Sequence, residues 1–197
     1  MDLKASTNQY YSESAESFTA NTLHVDMSEF YQRFLPYIPP NAHILDAGCG
    51  SGRDAKRFKS LGFQVDAFDA SPELAAIASK LLQLPVVVQT FQQFDGIDLY
   101  DGIWCCASLL HVPNLELNDV IKRLHRALKY EGVLYMSFKY GIEERVKEGR
   151  FFNDQTEQTI QQYLSGFRVL DTWVTGDQRP DRGSEQWLNL IVQKQEP

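Results

Sequence analysis

From Asn41 onward, short apolar runs alternate with stretches whose apolar residues recur every three or four positions, the pattern of βαβ units wound into a mostly parallel sheet. His43-Ile44-Leu45-Asp46-Ala47 reads as a first strand running into Gly48-Cys49-Gly50-Ser51-Gly52, and Arg53 to Leu61 as a helix closed by Gly62. Phe63 to Phe68 is a second strand ending at Asp69. Ser71 then caps a helix with Pro72 at its first position, and Leu74, Ile77, Ala78, Leu81 and Leu82 keep one face apolar until Pro85. Val86 to Val88 and Gly102 to Ala107 are the third and fourth strands, the latter so apolar that it suits a central position covered on both faces. Leu117, Val120, Ile121, Leu124 and Leu128 mark another helix, with Lys129 in its last turn and Gly132 just beyond, and Val133 to Phe138 is the fifth strand.

Past Phe138 the pattern changes. Lys139 to Asp154 is polar and charged, and Glu157 to Leu164 is helical. Phe167 to Thr175 and Trp187 to Val192 are strands whose connection is too short for a crossover helix, so they pair as an antiparallel edge packed by Trp173 and Trp187. Upstream, Met27 to Leu35 forms a short helix with Phe30 and Phe34 four apart, expected to lie across the sheet edge. No repeat or linker divides the 197 residues. They predict a single α/β domain, residues 1–197, with a doubly wound, mostly parallel seven-stranded sheet and an antiparallel C-terminal hairpin. Its parts are a helical cap (1–40), a ligand-binding core (41–138) and a segment with the final hairpin (139–197).

Composition narrows the function classes. The chain is 43% hydrophobic and 23% charged, as in ordinary globular proteins. Its formal net charge of -7, with no Lys/Arg cluster, opposes binding to a phosphate backbone, so no nucleic acid is expected as partner. No apolar run approaches the roughly 20 residues of a membrane span, and Met1 to Asn8 lacks the basic-then-apolar order of a signal peptide. The expectation is a cytoplasmic protein without a membrane partner. Cys49, Cys105 and Cys106 show no Cys-x-x-Cys spacing and no histidines at ligand offsets, which predicts reduced thiols and no metal site.

In open α/β sheets ligands bind beyond the carboxyl ends of the strands, where both Gly48-to-Gly52 and Asp69 fall. The glycines allow a tight turn with a ligand against the backbone. Asp69 lies 19 residues beyond Gly50, close to the roughly 20 expected of a carboxylate that accepts hydrogen bonds from ribose hydroxyls. Arg53 stands where a dinucleotide fingerprint carries its third glycine, which disfavours NAD. Asp46, just before the glycines, is placed to hold an ammonium group directly or through water.

The run Asp46-Ala47-Gly48-Cys49-Gly50-Ser51-Gly52 resembles the glycine motif of class I S-adenosylmethionine-dependent methyltransferases. Val65 to Ser71 is similar to that family's ribose-binding strand end, Tyr100 to Trp104 to its fourth strand, and Leu128 to Leu134 to its turn into the fifth. Four motifs in order, over about Asn41 to Phe138, make the resemblance specific. It implies a Rossmann-like fold with S-adenosylmethionine as cofactor and S-adenosylhomocysteine as product. By that resemblance Asp46, Gly48, Cys49 and Gly50 would bind the methionine part, Asp69 and Ala70 the ribose, and Thr90 and Phe91 the adenine, while Ala107 and Ser108 would face the sulfonium. Thr90 stands where many members carry an acidic residue, which moves the adenine amino contact towards a backbone carbonyl.

Acceptor-side candidates follow from position. His111, after the fourth strand, is a catalytic-base candidate whose plainer reading is a pocket-wall histidine. Tyr11, with Tyr10 and Phe18, closes over the cofactor or simply packs on the sheet. Lys139, Arg150, Arg179 and Arg182 would hold a small-molecule acceptor bearing negative charge, the alternative being solvated surface charge. A nucleotide-dependent oxidoreductase and a cofactor-binding regulatory protein without turnover are the rival readings. The atom methylated and the oligomeric state are not fixed by the sequence.

Overall fold

The computed structural model describes residues 3–179 and 185–195, so Arg182 lies outside the described residues. Five parallel strands, β1 (His43–Ala47), β2 (Gln64–Asp69), β3 (Val87–Val88), β4 (Tyr100–Cys105) and β5 (Leu128–Lys139), carry the apolar runs. Beyond β5 the sheet continues with β9 (Gln186–Lys194), antiparallel to β5, and β8 (Phe167–Gly176), antiparallel to β9. The order is β3-β2-β1-β4-β5-β9-β8, which puts β4 at the centre and reverses strand order between β1 and β4. That reversal opens the crevice in which ligands bind in such sheets.

Alternation along the strands sorts the side chains into two layers. Leu134, Met136 and Phe138 of β5 join Ile103 and Cys105 of β4 in a core covered by helix α6 (Asn114–Ala127) through Leu117, Val120, Ile121 and Leu124. Val133, Tyr135 and Trp104 point the other way, onto helices α3 (Ser28–Phe34) and α4 (Arg53–Ser60). Helix α5 (Pro72–Leu82), capped by Ser71 Oγ accepting from Leu74 N, adds Leu82 to a smaller cluster with Ala55 and Ala67. A strand buried on both faces has no polar alternation to display, which is why β4 and β5 read as continuous apolar runs. At Gly102 of β4 a Cβ would stand 2.7 Å from Ile38 and 3.0 Å from Phe34, so glycine lets α3 approach the sheet.

Three expectations are corrected. The Met27-to-Leu35 helix covers the face of the central strands rather than the sheet edge: Phe30, Tyr31 and Phe34 pack on Trp104, Tyr135 and Phe58, a far larger apolar area than an edge offers. Lys129 and Gly132 belong to β5. The helix stops at Ala127, Leu128 is already extended, and Tyr100 pairs with Leu128 while Gly102 pairs with Val133, so residues 129–132 bulge between them. The polar stretch after Phe138 contains a hairpin of β6 (Glu144–Lys147) and β7 (Arg150–Asn153), turned through Glu148 (φ 52°) and Gly149 (φ 76°). Two positive φ values suit the twist of a two-residue hairpin turn. All of β7 is buried, partly beneath α1 (Leu3–Glu13), where Phe151 N donates to Thr7 Oγ1 at 2.9 Å.

A short α2 (Ala15–Thr22) links α1 towards α3, and α7 (Glu157–Ile160) follows the hairpin. No helix among the described residues is long and apolar enough to cross a membrane. Phe34 is fully buried, with its ring centroid 5.1 Å from Trp104 and 6.1 Å from Phe58. Phe34→Ala is expected to cost about 3–5 kcal/mol, read as a lower denaturant midpoint at unchanged slope.

Candidate active site

The turn after β1 is built from left-handed glycines, Gly48 at φ 72° and Gly50 at φ 55°. It is fastened to the next strand: Gly48 N and Cys49 N both donate to Phe68 O, at 2.9 and 3.0 Å, and Gly50 N donates to Asp69 Oδ2 at 2.8 Å. A Cβ on Gly48 would lie 2.5 Å from Ser108 Cβ, and one on Gly50 3.1 Å from the Phe18 ring. Ser108 Oγ in turn donates to Ala47 O at 2.8 Å. The turn is therefore a cradle that side chains would fill.

Two carboxylates face this cradle. Asp69 also accepts from Ser71 N at 2.9 Å, and its carboxylate keeps lone-pair capacity for a hydroxyl donor. Burial pushes its pKa up, against the pull of backbone N–H groups of Ser71, Gly50 and Ala70. Asp46 is buried, accepts from Ala55 N at 2.9 Å, and is pushed well up by burial and then by the neighbouring Asp54. A carboxylate so placed favours a cationic neighbour, which an ammonium group supplies. Phe91 stands beside the turn with its ring on Phe68, 5.3 Å between centroids, next to Thr90. Ala107, at the end of β4, holds φ 52°, a conformation costing roughly 1–2 kcal/mol for a residue with a Cβ, and its N–H donates to Ser137 Oγ at 2.8 Å. Such strain at a cavity wall is characteristic of functional sites.

Tyr11, Asp46, Gly48, Cys49, Gly50, Asp69, Ala70, Thr90, Phe91, Ala107, His111, Lys139, Arg150 and Arg179 all line one cavity of about 250 Å³. At its far wall Tyr11 Oη lies 2.8 Å from His111 Nε2, and His111 Nδ1 lies 2.6 Å from Phe151 O. A carbonyl only accepts, so Nδ1 carries the proton and Nε2 accepts from the tyrosine hydroxyl. Burial, and then the positive charges of Arg150 and Lys139, lower the imidazole to about 4 against the bond to Phe151 O. The ring is neutral at neutral pH. Lys139 is ion-paired with Glu185, and Arg179 with Asp177. Trp187, expected only to pack its strand, borders the cavity and donates from Nε1 to Asp177 at 3.3 Å, whereas Trp173 packs on Phe30 and Tyr135.

One cluster escaped sequence reasoning. Asp54 accepts from Arg53 Nε at 2.6 Å, from Trp104 Nε1 at 2.9 Å and from the Tyr31 hydroxyl. Burial raises this carboxyl, but the Arg53 charge and these hydrogen bonds outweigh it and hold its pKa below the usual range. An Arg-Asp pair opening a helix reads as surface charge. The available signal was Trp104, an indole in an apolar strand whose N–H needs a buried acceptor.

The profile of the family described as "Methyltransferase domain" matches residues 20–165. The chain belongs to this methyltransferase family. The family uses S-adenosylmethionine, and the cradle, the two carboxylates and Phe91 fit that molecule's backbone-hugging methionine part, ammonium, ribose and adenine. Among curated proteins, the chain is 32% identical over 106 residues to the ubiquinone biosynthesis O-methyltransferase of Xanthomonas campestris pv. campestris, covering 50% of this chain and 43% of that protein. It thus spans less than half the length of the curated relatives it matches. Among solved structures, it resembles the Burkholderia thailandensis 1,6-didemethyltoxoflavin-N1-methyltransferase, which holds 1,6-didemethyltoxoflavin and S-adenosylhomocysteine. That likeness has a TM-score of 0.78 at 23% identity, over 98% of this chain and 88% of that one. Magnesium protoporphyrin IX methyltransferase of Synechocystis PCC 6803, with bound S-adenosylmethionine, gives 0.74 at 19% identity over 98% of both chains. These two likenesses establish the shared Rossmann-like fold.

Replacing Asp69 by Ala should weaken S-adenosylhomocysteine binding by roughly 1.5–3 kcal/mol in calorimetry, because charged acceptors for the ribose are deleted. An unchanged affinity would place the ribose elsewhere. His111 supplies a pH signature: its folded-state pKa lies below its unfolded value near 6.5, so the unfolded chain takes up the proton first. Stability should then fall as pH drops from about 6.5 to about 4, by up to about 3 kcal/mol from this residue. In His111→Asn the acid limb of the stability profile should flatten.

Proposed function

We propose that the protein methylates a small-molecule acceptor by in-line transfer from S-adenosylmethionine. The observation that carries this reading is one cavity lined by Asp46, Gly48 and Asp69 and also by Tyr11, His111 and Arg150. The 1,6-didemethyltoxoflavin held by the Burkholderia relative, itself a small molecule, supports the same class.

When bound, S-adenosylmethionine supplies a methyl carbon already activated by positive sulfur, so the protein's task is orientation and exclusion of water. Asp46 and the Gly48–Gly50 backbone would hold the amino-acid end, Asp69 the ribose, and Phe91 one face of the adenine. The Ala107 backbone, pinned by Ser137, shapes the wall beside the reacting atoms. Tyr11 and Phe18, carried on α1 and α2, roof the cavity. His111 Nε2, already accepting from Tyr11, would take a proton from an O–H or N–H acceptor through that hydroxyl.

A hundredfold excess of S-adenosylhomocysteine over its dissociation constant should stabilise the fold by about 2.7 kcal/mol, with no comparable effect of NADH. Release of S-adenosylhomocysteine should exceed the blank for at least one member of a panel of phenols, thiols, carboxylates and amines. Cofactor binding without release from any of them would favour a regulatory protein instead.

A further inference from the structure

The cations of the acceptor wall are not equivalent. Arg179 directs Nε and Nη2 at Asp177, whose side chain is itself buried, and Lys139 is matched by Glu185. Arg150 is different. Its side chain is 9% exposed, yet its carboxylate partner, Glu148, sits on the hairpin turn with 59% of its side chain exposed. Solvent screens such a partner, and a buried guanidinium it alone neutralises remains costly. The Nε of Arg150 is sealed from water and has no hydrogen-bond partner. The group sits against two rings, its Cζ 4.4 Å from the Tyr10 centroid and 5.3 Å from that of Phe152.

The charges that bear on His111 are positive, although Asp69 acts on the neighbouring Tyr11 hydroxyl. Arg150 and Lys139 both bear on His111, and no carboxylate is among the charges that act on it. A chain of formal charge -7 has therefore placed two cations and the rings of Tyr10 and Phe152 beside its candidate base. Resting on the methyltransferase reading, we infer that the acceptor is a small aromatic carboxylate whose anionic group docks on the Arg150 guanidinium, its ring against Phe152 and Trp187. The atom to be methylated then lies towards Tyr11 and His111. A guanidinium offers paired donors in a plane that match the two oxygens of a carboxylate, and the flanking rings keep water from weakening the contact.

The test needs no turnover. The protein, saturated with S-adenosylhomocysteine, is titrated calorimetrically with 4-hydroxybenzoate, its neutral isostere 4-hydroxybenzamide and the cationic 4-hydroxybenzylamine. The benzoate should bind about tenfold or more tighter than the amide, and the amine weakest. Arg150→Gln should remove that preference while leaving the affinity for S-adenosylhomocysteine unchanged, and the exposed Arg168→Gln should alter neither. Arg150→Lys, which keeps the charge and loses the fork, serves should the glutamine variant fail to fold, and should lose most of the preference. Equal binding of benzoate and amide, no binding of either, or a preference that survives both Arg150 variants overturns the inference. Failure of the wild-type protein to bind S-adenosylhomocysteine instead overturns the methyltransferase reading on which it rests.

Discussion

The cofactor half of the site depends on one close approach, between the carboxyl ends of β1 and β4, where Gly48 lies under Ser108 with no space for a Cβ. The same residue gives its N–H to Phe68 O, so a single glycine fixes how β1, β2 and β4 end relative to one another. Asp69 then closes the arrangement by accepting from Gly50 N, and its carboxylate is aimed by the turn it helps to hold. A bulkier residue at position 48 would disturb three strand ends at once, and with them the cradle and the Asp69 carboxylate.

What the sequence displayed and what it concealed divide along a physical line. The glycine turn, Asp69, the Ser71 cap and the strand alternation are local, set by residues within a few positions of one another, and so could be read directly. Side-chain partnerships across the fold could not. Arg53 and Asp54 look like solvated helix-start charges and are a buried pair because Trp104 and Tyr31 arrive from other elements. The β6–β7 hairpin was invisible because its turn is Glu148-Gly149, without the asparagine or aspartate that advertises two positive φ values. The placement of α3 on the sheet face rather than its edge is likewise a tertiary choice, decided by the area Phe30 and Phe34 can cover. Arg150, Arg179 and Lys139 could be named as cations near the site, but only the fold distinguishes Arg150, with a mostly exposed partner, from Arg179, with a buried one, and Lys139, with a part-buried one.

Fold and function attach to different parts of this chain. The sheet and glycine turn specify a cofactor-type pocket and are common to proteins with unrelated acceptors, so they say little about chemistry. The candidate acceptor-side residues come from outside the sheet core: Tyr11 from the first helix, His111 after β4, Arg150 from the hairpin. Burial and two neighbouring cations hold His111 neutral, and the tyrosine hydroxyl is already oriented towards its Nε2.

The hydrogen bond from Phe151 N to Thr7, and that from Ser6 to Gly149 O, close loops of 144 and 143 residues between two segments that both lie outside the seven-stranded sheet. Contacts of such long sequence separation are entropically expensive to form before the intervening chain is ordered. These two bonds therefore rest on the ordered sheet that brings their segments together. Helix α1 and the β6–β7 hairpin contribute no strand to that sheet, so the wall carrying Tyr11 and Arg150 is added to the fold from outside the element that defines it.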